Sequence, residues 1–159
     1  MTTPDPSDLI GTLNESVAER LRAFGILCDP VPVPVLTERH SDLESKLSVA
    51  LKQKGGMCVL LATPTWRIGE SETELVVSLV IHVTENVLIN QGATGTRKGA
   101  SYFALMIYAY LLGFAAPGWS TLIRPADDTA ARLVSSSPVV TYEVALQCQT
   151  FITLESATA

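Results

Sequence analysis

Val139-Val-Thr-Tyr-Glu-Val-Ala-Leu-Gln-Cys-Gln-Thr-Phe-Ile-Thr-Leu154 is the stretch that decides the fold. Val140, Tyr142, Val144, Leu146, Cys148, Ile152 and Leu154 fall on one side of a two-residue period. Thr141, Glu143, Gln147, Gln149 and Thr153 fall on the other. That period is a strand with one buried and one wet face. At ~3.3 Å per residue it would reach ~50 Å, beyond the ~30 Å of a small domain. It is expected to bend, to break at a bulge, or to cross into a neighbouring subunit. A small protein with such a strand points to assembly more than to catalysis.

The chain has 159 residues, enough for one domain. Hydrophobic residues make up 47% and charged residues 17%, fewer charges than the usual ~25%. Hidden oligomer surface and a well-filled monomer core both fit that balance. Net charge is −5, and the basic residues are scattered, which argues against binding nucleic acid through many phosphate contacts. The three cysteines, Cys28, Cys58 and Cys148, are odd in number and lack metal spacing. Cys58 and Cys148 sit in apolar patterns, where free Cys acts as a small buried hydrophobe. A reducing, cytoplasmic setting is expected, and the polar start Thr2 to Asp8 does not read as a signal peptide. Tyr102 to Ala116, the longest strongly apolar stretch, is short of the ~20 residues that span a bilayer.

After a flexible start over residues 1–7, Ser7 or Asp8 is expected to cap a helix to about Phe24, with Leu9, Leu13, Val17, Leu21 and Phe24 on its apolar face and Gly25 ending it. The alternating prolines of Asp29-Pro-Val-Pro-Val-Pro-Val35 predict an extended connector or edge segment. Ser41-Asp-Leu-Glu44 matches a capping box, and Leu43, Leu47, Ala50 and Leu51 form the stripe of a second helix stopped by Gly55-Gly56. Met57 to Thr63 reads as a central strand, Pro64 to Gly69 as a loop holding Trp66, and Glu74 to Thr84 as a covered strand. Glu85 to Gly99 reads as a long flexible loop. Gly99 to Gly113 reads as a helix apolar nearly all round, and so covered on more than one side. Pro117-Gly118-Trp119 is a turn, Ser120 to Pro125 a short strand and Ala126 to Ser137 a polar, turn-rich link; residues 155–159 form a flexible tail. The order predicts a single α+β domain over residues 1–159, a mixed, mainly antiparallel sheet packed against two to three helices.

Chemistry-bearing patterns are sparse. Gly92-Ala-Thr-Gly-Thr-Arg-Lys98-Gly99 follows a strand and opens a helix, a context that attracts anions. Its spacing departs from a P-loop, because Arg97-Lys98-Gly99 stands where Gly-Lys-Ser/Thr is needed. His40 and His82 are the two histidines, and neither has a second His or a Cys at ligand spacing. No Gly-x-Ser-x-Gly elbow occurs. Glu70, Glu72 and Glu74 can share a proton as same-face acids, or simply keep a strand edge soluble. Asp127-Asp128 reads as a turn. Trp66 and Trp119, in Pro- or Gly-marked loops, are either interface anchors or rings folded back on their own domain.

The feature order resembles the tail terminator, or tail completion, proteins of long-tailed bacteriophages and prophages. The likeness runs through the amphipathic Asp8 to Phe24 segment, the Glu85-Asn-Val-Leu-Ile-Asn90 stretch with its Gly-rich sequel, Tyr110-Leu-Leu-Gly113 leading to Pro117-Gly118, and the strand from Tyr142-Glu-Val-Ala-Leu146 to Thr150-Phe151. The Pro-rich Asp29 to Val35 segment departs from it. The resemblance implies a non-enzymatic virion subunit, with no cofactor and no metal, that forms a homo-oligomeric ring, usually a hexamer. The ring would cap the major tail tube, stop its polymerisation and offer a face to the head-completion or connector protein. Its place would be the head-proximal end of the tail, after assembly in the host cytoplasm, with no membrane and no specific nucleic acid as partner. Arg97, Lys98, Trp66 and Trp119 are the candidate partner-interface residues. Another head–tail connector or minor tail protein is the alternative within this class. A small cytoplasmic ligand-binding domain or enzyme using the Gly92–Gly99 loop is the alternative outside it.

Overall fold

A computed structural model describes residues 8–28, 31–52, 55–63, 65–92, 95–96, 98–136 and 139–151. The readings at residues 1–7, Asp29 and Pro30, Pro64, Arg97, Ile152 to Leu154 and 155–159 lie outside the described residues.

Helix α1, Leu9–Arg22, carries its apolar residues at helical spacing and buries Leu13, Val17, Ala18 and Leu21. Asp8 caps it, its side chain accepting from Gly11 N–H at 2.9 Å. The helix stops at Ala23, and Gly25 opens a one-turn helix α2, Gly25–Cys28, instead of forming a left-handed stop. Val35 leads out of the proline run into β1, Val35–Thr37, an edge strand parallel to β2, Met57–Ala62. Between them lies α3, Leu43–Lys52. Gly56 has φ 73°, and a Cβ there would come within 2.7 Å of the Asn90 backbone nitrogen, so this turn needs glycine.

Three departures from the sequence-based expectation concern the sheet edges. Trp66 lies not in a loop but in β3, Trp66–Ile68, which pairs with Val77–Leu75 of β4, Glu74–Glu85. After α4, Val87–Asn90, and α5, Ala100–Leu111, the expected Ser120 to Pro125 strand shrinks to β5, Arg124–Pro125. The polar link then holds a four-residue strand, β6, Arg132–Ser135. Both pair with β7, Val140–Phe151.

The seven-stranded sheet of the described residues runs β1-β2-β4-β7-β5, with β3 also beside β4 and β6 also beside β7. All pairings are antiparallel except β1–β2. The fold is therefore a single-domain α+β arrangement with a mainly antiparallel mixed sheet. The long terminal strand does not leave its sheet over this span. Glu74 to Glu85 of β4 faces Phe151 to Val140 of β7 without a break. An equally long partner resolves the length problem.

The sheet separates two apolar layers. Val77, Leu79, Ile81, Val83, Val144 and Leu146 point to one face, where α1 and α5 pack. Leu36, Cys58 and Leu60 point to the other, where Leu43, Leu47, Ala50 and Leu51 of α3 cover only the β1–β2 side. The remaining surface of that face, over β4 and β7, is the half-wet one. It carries Ser78, His82, Thr84, Thr141, Glu143 and Gln147.

Candidate interaction surface

The Gly-rich segment is built around two buried polar side chains. Glu85, at the end of β4, and Asn90, at the end of α4, are both almost fully buried. Asn90 Nδ2 donates to Glu85 Oε2 and, at 2.7 Å, to the Lys98 carbonyl. Asn90 Oδ1 accepts from the Thr96 backbone N–H and hydroxyl, each at 2.8 Å. Glu85 Oε1 accepts from Ala100 N–H at 3.3 Å, in the first turn of α5. A protein carboxylate thus occupies the place at which this helix start would hold an anion. Gly95 lies so close to the Asn90 carbonyl that any side chain there would collide with it. The segment expected to be a long flexible loop therefore contains a helix and an internal anchor. Periodicity could not show this, because the signal is one buried Asn.

Lys98 is exposed, its ammonium 4.3 Å from the centre of the Tyr102 ring, a cation–π contact at the base of α5. Arg97, its neighbour in sequence, lies outside the described residues. The two tryptophans part company. Trp119 packs partly buried against the main core, with its indole N–H buried and lacking a hydrogen-bond partner among the described residues. Trp66 is 58% exposed and its strand neighbour Ile68 is 61% exposed. Across the sheet, Leu133 and Val134 of β6 are 49% and 48% exposed. The structure does not bring Lys98, Trp66 and Trp119 into one cluster. Sequence reasoning missed Ile68, Leu133 and Val134, whose short strands lack a usable period.

The histidines sit in local structure. His40 Nδ1 accepts from Thr37 N–H at 3.1 Å and closes the turn between β1 and α3. His82 Nε2 lies 3.0 Å from Glu143 Oε2, a half-exposed cross-strand pair on the wet face. Burial pushes the Cys58 thiol up to about 12 and raises that of Cys148. Neither thiol is therefore poised as a nucleophile. Glu70 and Glu74 meet through backbone, Glu70 N–H donating to Glu74 Oε2 at 3.0 Å. Among the described residues no group of three or more His, Cys, Asp or Glu could hold a metal ion.

One open groove, of about 1130 Å³, runs between α1 and the end of α5. The Arg20 guanidinium lies over Tyr110 and Phe114 at 4.5 and 4.6 Å from their ring centres. Phe24 stacks on Tyr110 at 3.9 Å, so this cluster clamps α1 to α5. Among the described residues no helix is long and apolar enough to cross a membrane. No protein-family model matches the chain, and no curated protein matches it.

Proposed function

We propose that this chain is a structural virion-assembly protein, a tail terminator whose copies form a ring on the finished tail tube. In this role the ring stops tube polymerisation and offers its other face to the head connector. The observation that carries the reading is the pair of exposed apolar edges, Trp66 and Ile68 at one side of the sheet and Leu133 and Val134 at the other. Two different surfaces on opposite sides suit contacts between successive copies, and head-to-tail contacts generate rings when the rotation closes. Supporting it, the features on which the resemblance to tail terminators rests fall into one connected unit. The Glu85-Asn90 stretch becomes the end of β4 plus α4, the Gly-rich segment is tied to α5, and the Tyr142 to Phe151 strand lies along the whole of β4. The reading through a ligand-binding Gly92–Gly99 loop has less support, since Glu85 already fills the anion position at α5.

Light scattering on the purified chain, with negative-stain microscopy, tests the proposal. The expected result is a ring-sized species, and abnormal tail lengths when the gene is deleted from its phage. A monomer at all concentrations that gains thermal stability with a nucleotide would overturn it.

A further inference from the structure

We propose that successive copies join edge to edge, β6 of one copy adding to β3 of the next, with Leu133 opposite Ile68. This deepens the ring reading by naming its interface, but it is derived from the sheet edges.

The backbone determines which residues are free to pair. In an antiparallel ladder, alternate residues turn their N–H and C=O groups toward the neighbouring strand and the others turn away. Gly69 N–H bonds to the Glu74 carbonyl and Ser78 N–H to the Thr65 carbonyl, both at 2.9 Å. Thr65, Arg67 and Gly69 therefore face β4, and Trp66 and Ile68 turn their backbone groups to the open edge. At the other side, Asn86 N–H bonds to the Gly56 carbonyl at 2.8 Å, which turns the even-numbered residues of β4 to β2 and the odd ones to β7. Odd-numbered residues of β7 consequently face outward, and the Ala145 carbonyl accepts from Ala126 N–H. Arg132 and Ser135, opposite Glu143 and Thr141, face inward, leaving Leu133 turned to the open edge. The next strand position on this side, β5, is closed to a newcomer, because Pro125 has no N–H to give.

Direction and face agree as well. β3 runs antiparallel to β4, and β6 runs parallel to it, since both β4 and β6 are antiparallel to β7. A second copy continuing the same sheet thus brings β6 antiparallel to β3. Leu133, opposite Tyr142, and Ile68, opposite Leu75, then lie on the same face of that sheet. Placing them opposite one another joins two half-exposed apolar side chains in a cross-strand pair. It also sets Arg132 opposite Gly69 and next to the exposed Glu70. A β3–β3 contact is disfavoured, because the register of greatest overlap sets Arg67 directly against Arg67 of the second copy. The β6–β3 register is oblique. Leu133 lies level with Val83 and Ile68 with Leu75, eight residues apart along β4. Each copy is then displaced by roughly 26 Å along the strands, so the strands of a closed ring are tilted, as in barrels.

The test uses Ile68→Cys and Leu133→Cys in a Cys28→Ser background, which removes the exposed native thiol. Facing residues of this kind stand about 5.5 Å apart at Cα, within disulfide reach. Under mild oxidation the double variant should give a covalent ladder ending at the ring size, while each single variant stays monomeric on a non-reducing gel. In parallel, Leu133→Lys should dissociate the oligomer, and adding Ile68→Glu to the same chain should restore it. Covalent dimers from Ile68→Cys alone would overturn the inference in favour of a two-fold contact. Oligomers that form with no ladder and ignore Leu133→Lys would also overturn it, while leaving the ring reading standing. A ladder that grows without a terminal species would uphold the edge contact and remove the closed ring. Monomers throughout with no ladder would remove both.

Discussion

Glu85 shows how one side chain decides what a Gly-rich segment can bind. Its carboxylate, placed at the start of α5 and bonded to Asn90 and Ala100, supplies internally the negative charge such a helix start favours. At the opposite end of the molecule Asp8 does similar work for α1. Its hydrogen bond with the Arg39 guanidinium, then that from Gly11 N–H, hold its carboxyl below the usual carboxylate range. Asp8→Ala should cost about 1 kcal/mol in chemical denaturation. A lowered folded pKa means the ionised contribution is fully present above the unfolded value of about 3.9 and is lost as pH falls through the folded value. The gap between wild type and Asp8→Ala should therefore hold steady above roughly pH 5 and narrow below roughly pH 4. Melts across that range that keep a constant gap would contradict the Arg39 pairing. The cysteines give a second residue-scale test. Cys28 is exposed, whereas Cys58 and Cys148 are buried with raised pKa values. A thiol reagent at neutral pH should modify one thiol in the native protein and three after denaturation. Fast modification of two or more in the native state would mean that the core around β2 or β7 opens readily.

Among the elements, α1 was legible because its stripe is strictly periodic. Leu13 and Leu21 are completely buried beneath it. Truncating either to Ala should cost ~2–5 kcal/mol, read from the urea midpoint. A loss below half a kcal/mol at both would place the helix on a different face. β2, β4 and β7 were legible for the same reason, each having several residues over which an alternation or an apolar run can register. The failures were short elements. β3 and β6 have three and four residues, too few for a period, and their pairing is dictated by the neighbouring long strands. α4 has four residues, held by the Asn90 network rather than by an apolar face. Gly25 misled because the chain leaves α1 through Ala23, with its N–H bonded to the Glu19 carbonyl at 3.1 Å. A glycine after a helix marks an available stop, not a required one.

For the whole molecule, two directions of contact must be kept apart. In the proposed ring, edges of the sheet face neighbouring copies, and the ends of its strands face along the ring's axis toward the proposed tube and connector contacts. Lys98 lies at such an end, since β4 delivers the chain through Glu85 and α4 to this corner before α5 turns back. Its ammonium rests on Tyr102, and its carbonyl is held by Asn90, so an exposed charge is presented on an anchored base. Leu88, 88% exposed on α4, precedes this segment in sequence and leaves an apolar side chain uncovered. A protein with a net charge of −5 that offers a cation here suits an acidic partner surface. Lys98→Glu removes one exposed cation–π contact, worth about 0.5–1 kcal/mol, and should leave the fold and the ring intact. It should weaken capping of the tube, because a charge reversed at an interface repels the partner it was matched to. The measurement is tail length by electron microscopy in a phage lacking the gene and supplied with the variant. Over-long tails and a reduced infectious titre, with ring mass unchanged by light scattering, are the expected result. Tails of normal length at normal titre would remove this corner from the tube contact, and loss of the ring itself would assign Lys98 to the contact between copies.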